Sequence, residues 1–289
     1  MDRAQDSGRR SVLESLGWGL RVLRGYGRIG WVRKSQFRWE FVNQVVMDVL
    51  FYVSFVLTFK MLYGLGESSD SGSLSLAGWS YAEMKVYLGM AFVSDALMMT
   101  FMGQMWHFGV DLKNGALDPL RVRPGPTAFL YFFQRFSPEG LTNLAIAAGW
   151  LAYALSGVTG LGADAEVPLV RLTWALPLAI TVIAVTQVFV TISYSLVELW
   201  LTHSDLGHLA SMLFNSLGER PLDVYPNGVQ RFLTFIVPVA GTAWYPASLV
   251  LGKHGLAMAL GFPVALMLFA WVVSRAFRLG LRRYDSAMG

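Results

Sequence analysis

Residues 108–126, FGVDLKNGALDPLRVRPGP, lie between two strongly apolar segments and carry Lys113, Arg121 and Arg123. Turn formers punctuate the stretch at Asn114-Gly115, Asp118-Pro119 and Pro124-Gly125-Pro126. That pattern predicts a short helix bounded by turns. At the inner face of a membrane such a helix is a docking element, although a basic loop that only fixes topology has the same local composition. The segments on either side supply the context.

Of the 289 residues, 54% are hydrophobic and only 15% charged; mean hydropathy is +0.47. So little polar surface cannot solvate a globule of this size, and the excess apolar surface must face lipid. A net charge of +4 would suggest nucleic acid in a soluble domain. Here the basic residues gather beside apolar runs, the positive-inside pattern, and no nucleic-acid partner is expected. Cysteine is absent, which excludes disulfides, thiol catalysis and cysteine-ligated metal. The first forty residues carry too much charge, too far ahead of the first apolar run, for a cleaved signal peptide.

Residues 1–10 read as a polar tail. Residues 11–40 set Leu13, Leu16, Leu20 and Leu23 among Arg21, Arg24, Arg28, Arg33, Lys34 and Arg38, with Trp18, Trp31 and Trp39 at interfacial positions. This is a basic amphipathic helix, expected to lie flat on the cytoplasmic leaflet. Within it Gly25, Gly27 and Gly30 spell G-x-G-x-x-G. A dinucleotide site needs that turn between a strand and a helix; nothing before Gly25 reads as a strand, so the glycines predict a flexible break in the helix.

About 20 apolar residues cross a bilayer. By that measure spans are predicted at 41–63, 86–107, 139–158, 172–197, 232–252 and 254–274, with a short acidic turn at Asp164 and Glu166 and a polar segment over 198–228. With both termini cytoplasmic, only Lys60, Lys85, Arg171 and Lys253 fall outside, leaving 23 − 4 = 19 Lys and Arg inside. The fold expected is an all-α membrane protein of six transmembrane helices. Its parts are a tail and interfacial helix over 1–40, a membrane domain over 41–284 with the loop 108–126, and a short tail over 285–289.

No G-x-x-x-x-G-K-[ST], H-E-x-x-H or G-x-S-x-G occurs, so neither a P-loop nor a hydrolase site is expected, and no catalytic residue is assigned. His203 and His208 lack a third ligand nearby, and no metal site is expected. In the second span Asp95, Met98, Met99, Met102 and Met105 recur at spacings of three and four, on one helical face. A carboxylate there belongs in the bundle interior or a wet cavity. Soft methionines beside it suit an amphiphilic cation, or they fill a core while hydroxyls cap Asp95. Asp48, with Gln44 and Tyr52 one turn to either side, is a similar case. Pro238 and Pro246 predict either two kinks or a broken helix in the fifth span.

Three stretches, Asn114 to Pro124, Arg220-Pro-Leu-Asp-Val-Tyr-Pro226 and Phe235-Ile-Val-Pro-Val-Ala-Gly-Thr-Ala-Trp-Tyr-Pro-Ala247, with the closing Gly280-Leu-Arg-Arg-Tyr284, resemble the permease subunits of ABC-2 type exporters. The likeness is to the branch that includes the viologen-exporter permeases. It implies an exporter of an amphiphilic or cationic small molecule in a bacterial cytoplasmic membrane. Such permeases work as homodimers or heterodimers with two copies of a separate ATPase, which binds the ATP and Mg; this chain would bind no cofactor. The resemblance makes 114–124 the coupling helix. Leu117 and Leu120 would enter the ATPase cleft, Arg121 and Arg123 would meet its acidic rim, and Asp118 would share the surface. It also turns the fifth span into an exit gate, broken near Trp244, Tyr245 and Pro246 into a re-entrant element. The competing class is a self-contained membrane protein, either an ion-driven secondary transporter using Asp48 and Asp95 or an embedded enzyme. Internal repeats and clustered acids, which those would favour, are not evident.

Overall fold

The computed structural model describes residues 12–36, 38–67, 75–159, 167–201, 206–253 and 255–284. The tails at 1–10 and 285–289, the turn at Asp164 and Glu166, and His203 lie outside the described residues. Among those described every named element is helical, and strand-like pairing is limited to the isolated bridges Leu76↔Trp79 and Thr159↔Val167.

Helix α1 (Val12–Gln36) runs unbroken through all three glycines, so the expected break is absent. Gly30 instead permits close approach: a Cβ there would collide with the Phe136 carbonyl oxygen. Trp18 packs on Phe129 with ring centroids 5.7 Å apart, and Tyr26 donates to the Leu130 carbonyl at 3.4 Å. Trp31 stays exposed. The face of α1 that carries Trp18, Tyr26 and Gly30 thus lies along residues 125–136, while Leu20, Ile29 and Val32 stay exposed.

After α2 (Arg38–Glu67) comes α3 (Tyr81–Phe101), which starts earlier than the expected 86 because Ser80 caps it. The Ser80 hydroxyl accepts from the Glu83 N–H and the Glu83 carboxylate accepts from the Ser80 N–H, a reciprocal capping box. Helix α3 is central, with 67% of its apolar window buried against 11% for α2. It stops at Phe101 instead of continuing to 107. A 3-10 turn over Gly103–His107 leads into α4 (Phe108–Lys113), α5 (Asp118–Arg121) and α6 (Thr127–Phe132). The helix expected over 114–124 is therefore cut down to the single turn of α5, reached from α4 through a turn over 114–117. Gly115 takes φ +70° in that turn, a conformation that costs any residue with a Cβ.

Helix α7 (Glu139–Ser156) packs directly on α3. A Cβ on Gly89 would come within 2.8 Å of the Leu151 side chain, and one on Gly140 would overlap Thr100. Small residues let the two backbones approach, the usual way helices adhere in lipid. Helix α8 (Leu169–Trp200) follows, then α9 (Leu206–Gly218).

The two ends of the bundle differ. Helices α1 and α4 to α6 lie at the basic end with the last turn of α8, where a Cβ on Gly109 would meet Glu198. At the other end Lys253 Nζ pairs with Glu83 at 2.8 Å and donates to the Gly78 carbonyl at 2.8 Å. Helix α9 begins at the basic end, where the His208 N–H donates to Glu198 at 3.2 Å. It finishes towards the far end, where the Tyr87 hydroxyl donates to the Gly218 carbonyl at 2.7 Å. Asp223 then accepts from Trp79 Nε1 at 2.8 Å.

From there the chain dips inward as α10 (Asn227–Arg231) and a π-helical turn, Phe232–Ile236, whose Phe232 ring reaches Phe214 of α9 at 6.3 Å. It reverses at Pro238 and returns as α11 (Trp244–Leu251) to Lys253. Residues 227–251 thus leave and re-enter at the same end. The expected fifth span over 232–252 is corrected: the passage between ends is α9. At 13 residues, about 20 Å long, α9 is too short to be found by span length. Arg220 moves with it to the far end. Helix α12 (Leu256–Arg283) closes the bundle at the basic end, where Tyr284 donates to the Leu112 carbonyl at 3.3 Å. Among the described residues four helices, α2, α3, α8 and α12, are long and apolar enough to cross a membrane.

Candidate functional site

Asp95 faces a cavity of about 110 Å³ between α2, α3, α8 and the end of α9. Its Oδ2 accepts from the Tyr52 hydroxyl at 3.0 Å. Phe51, Phe55 and Phe92 line it with aromatic rings, and Glu219 and Thr242 line it as well. Glu219 also lines an adjoining cleft of about 330 Å³, together with Phe55, Leu62, Leu76 and Arg220. Two carboxylates therefore share one aromatic chamber, which has Phe55 and Glu219 in common with a larger cleft. A positive centre among the acids and rings, with an apolar body in the cleft, matches this chemistry.

Asp48 does not line the chamber. It accepts from Gln44 Nε2 at 3.0 Å and from Asn143 Nδ2 of α7 at 2.7 Å, which ties α2 to α7 below Tyr52. The methionine stripe divides. Met98 touches the chamber. Met102 and Met105 are buried in a cluster at the basic end with Phe108, Leu112, Leu117 and Leu120, and half-buried Met99 packs against it. Only Met98 of the stripe is thus a lining residue; the others fill the foot of α3, where irregular space favours an unbranched side chain.

The same cluster corrects the surface expected of the loop. Leu117 is fully buried and Leu120 only 5% exposed, so neither projects as an anchor. The side chains that do project are Val122, 86% exposed, and its neighbours Arg121 and Arg123. Asp118 is half-buried at the start of α5. Arg121 leans on the Tyr284 ring with its guanidinium 5.7 Å from the centroid. Asp111 accepts from the Tyr131 hydroxyl at 2.7 Å and from Gln104 at 2.5 Å, stiffening the base on which the loop stands.

At the far end the break falls over 237–243 around Pro238, not at 244–246. Pro246 sits in the first turn of α11, where an amide donor has no helical partner to lose. Trp244 Nε1 donates to Asp223 Oδ2 at 2.6 Å, beside the bond from Trp79. Tyr245 stacks on Phe262 at 4.4 Å and donates to the Ala259 carbonyl at 2.7 Å. Trp244, Tyr245 and Pro246 are all buried, so the returning arm is clamped to α12 and to Asp223.

Sequence reasoning missed Glu219, Asn143 and Asp223. Glu219 and Asp223 fell in the stretch read as a polar segment over 198–228; the one available signal was that LGHLASMLFNSLG, 206–218, repeats apolar residues at helical spacing. Among the described residues no group of three His, Asp or Glu could hold a metal.

Neither the search of curated proteins nor that of solved structures finds a match. A family model described as ABC-2 family transporter protein does match, over residues 70–288, from before α3 to beyond the end of α12. With that match covering well over half of its length, the chain belongs to the ABC-2 transporter family, as a membrane permease.

Proposed function

We propose that this chain is the transmembrane half of an ATP-driven exporter of amphiphilic cations. It pairs with a second permease copy, homologous or identical, and is energised by two copies of a separate ATPase that carries the ATP and Mg. The observation that carries the substrate class is that Asp95 and Glu219 both line one aromatic chamber. A carboxylate in a low-dielectric chamber attracts a cation far more than an amide does. Six crossings, with α9 as the fifth, put both termini on one side. The charge bias supports that side as the cytoplasm: with Arg220 and Arg231 moved outward, 23 − 6 = 17 Lys and Arg remain inside. ATPase docking falls to Arg121, Val122 and Arg123, and the clamped hairpin over 227–251 is the outer gate. A bacterial inner membrane fits this arrangement.

ATP-driven uptake into inside-out vesicles, whose cytoplasmic face points outward, tests the substrate class. Asp95→Asn and Glu219→Gln should each cut export of a cationic dye about tenfold or more and leave a neutral dye of similar size within twofold, with insertion unchanged. Equal loss for both dyes would reduce the two acids to structural groups and sink the cation reading.

A further inference from the structure

The pocket where α1 meets the start of α2 and α7 plays no part in that transport reading. It encloses about 360 Å³ and is lined by Arg33, Lys34, Glu40, Gln134, Arg135 and Glu139, among others. Its charges are unevenly matched. Lys34 Nζ bridges Glu139 Oε1 at 3.0 Å and Glu40 Oε1 at 3.2 Å. Burial alone would lower the pKa of that ammonium, but its bonds to Glu139 and Glu40 outweigh burial and raise it. Glu139 Oε2 is different: it is buried with no donor, on a residue only 9% exposed. A buried carboxylate oxygen without a donor is costly, so this site calls for an N–H.

The guanidiniums are unmatched in the opposite sense. Arg33 lines the pocket and makes no ion pair with a described residue. Arg135 meets the His107 ring nitrogens, at 3.0 and 3.1 Å, instead of an acid. Two guanidiniums without an anion are a ready phosphate fork. A ligand that answers both needs carries a phosphate and a protonated amine a few bonds apart. The surroundings say where such a ligand comes from. Ile29, Trp31, Val32 and Trp39 are exposed beside the pocket, at the foot of the long apolar helix α2, which is where acyl chains would lie.

We propose that this pocket binds the headgroup of a phospholipid bearing a primary ammonium. The phosphate lies between Arg33 and Arg135, and the ammonium draws Glu139 Oε2, buried in the empty site, round to face the pocket and donates to it. The bound lipid braces the joint between α1, α2 and α7. The site is separate from the Asp95 chamber, so it is occupied whatever the chain transports, and its failure would leave the transport reading standing.

The test uses the full chain, purified in detergent, stripped of lipid and titrated in native mass spectrometry with dioleoyl phosphatidylethanolamine, phosphatidylcholine and phosphatidylglycerol. The ethanolamine lipid should bind about tenfold more tightly than the choline lipid, which has the same phosphate but no N–H, and than the glycerol lipid, which has no amine. One charge-assisted hydrogen bond is worth about that factor. Glu139→Gln should erase the preference for ethanolamine over choline. Glu139 also anchors Lys34, so thermal melting accompanies that variant, and the exposed Arg33→Ala provides a second arm that should weaken all three lipids about tenfold. Equal binding of the three lipids, an unchanged preference in Glu139→Gln, or unchanged affinity in Arg33→Ala would each overturn the assignment. Displacement of the lipid by equimolar soluble O-phosphoethanolamine would overturn the lipid as its source.

Discussion

Leu117→Ala and Val122→Asp should separate what the turn after α4 does for this chain from what it offers a partner. Leu117 is fully buried and Leu120 nearly so, in a cluster with Met102, Phe108 and Leu112. Truncating a buried leucine to alanine costs about 2–5 kcal/mol, set by how far the site collapses around the void. The turn is held between α4 and α6 with Gly115 at positive φ, which leaves limited room to collapse, so a loss near the middle of that range, about 3 kcal/mol, is expected. Val122 is 86% exposed, and an exposed substitution changes stability by no more than about 0.5 kcal/mol. Its aspartate puts a negative charge between Arg121 and Arg123, which should oppose docking on an acidic rim. Loss of an interface anchor typically exceeds about 1 kcal/mol, and about 1.4 kcal/mol is tenfold in affinity.

Thermal melting of the solubilised chain reads the first effect, and co-purification of the co-expressed ATPase reads the second. Leu117→Ala should melt early yet hold the ATPase normally at temperatures where it is folded. Val122→Asp should melt like the parent and lose the ATPase by about tenfold or more, with export falling in step. An unchanged melting temperature for Leu117→Ala would refute its burial. Full co-purification and export in Val122→Asp would refute the docking surface, and a purely topological role for the basic loop would replace it.

Gly89→Val should abolish folded protein, because its Cβ alone would sit 2.8 Å from Leu151 and α3 cannot retreat from α7 without opening the core; normal yield and melting would show that the contact yields. Asp223→Asn should lower stability by roughly 1–2 kcal/mol by weakening two charge-assisted bonds from Trp79 and Trp244. In a double-mutant cycle Trp79→Phe should then cost at least about 0.5 kcal/mol less than it does alone; strict additivity would mean that the indole bond contributes nothing.

Much of the bundle is legible because its signals are long. The uncharged windows over 140–158 and 172–197 correspond to α7 and α8, and the cap Ser80-x-x-Glu83 that fixes the start of α3 is a local rule written in the sequence. Short elements defeat the same reasoning. A four-residue helix such as α5 has barely one turn, so no periodicity says that Leu117 and Leu120 face inward while Val122 faces out. Helix α9 falls below any span threshold, and with it went Glu219 and the far-end position of Arg220. The stripe from Asp95 to Met105 shows the limit of periodicity in another way. Spacing identifies a shared face, but not that the upper part of that face meets a chamber and the lower part a packed foot.

The placement of the two acids says how a push at the basic end would reach them. Asp95 rides on α3, which is braced along its length by the glycine contacts with α7 and capped at its far end by Ser80 and Glu83. Glu219 rides on the end of α9, next to the hairpin whose returning arm is tied through Trp244 to Asp223. The foot of α3 ends in the cluster that holds Leu117 and Leu120, directly beneath Arg121 to Arg123. Force applied to that turn therefore passes into α3 through a close-packed cluster that transmits strain instead of absorbing it. Helix α2, with 11% of its apolar window buried, is the wall least held by the rest of the chain. On the exporter reading, the quantity that changes with the ATP cycle is the separation of Asp95 from Glu219. Spin labels at Asp95→Cys and Glu219→Cys, natural in a chain with no other cysteine, should give distance distributions that differ between nucleotide-free and ATP-bound complexes. One distribution common to both states would mean that the chamber is a fixed feature and that access is controlled elsewhere.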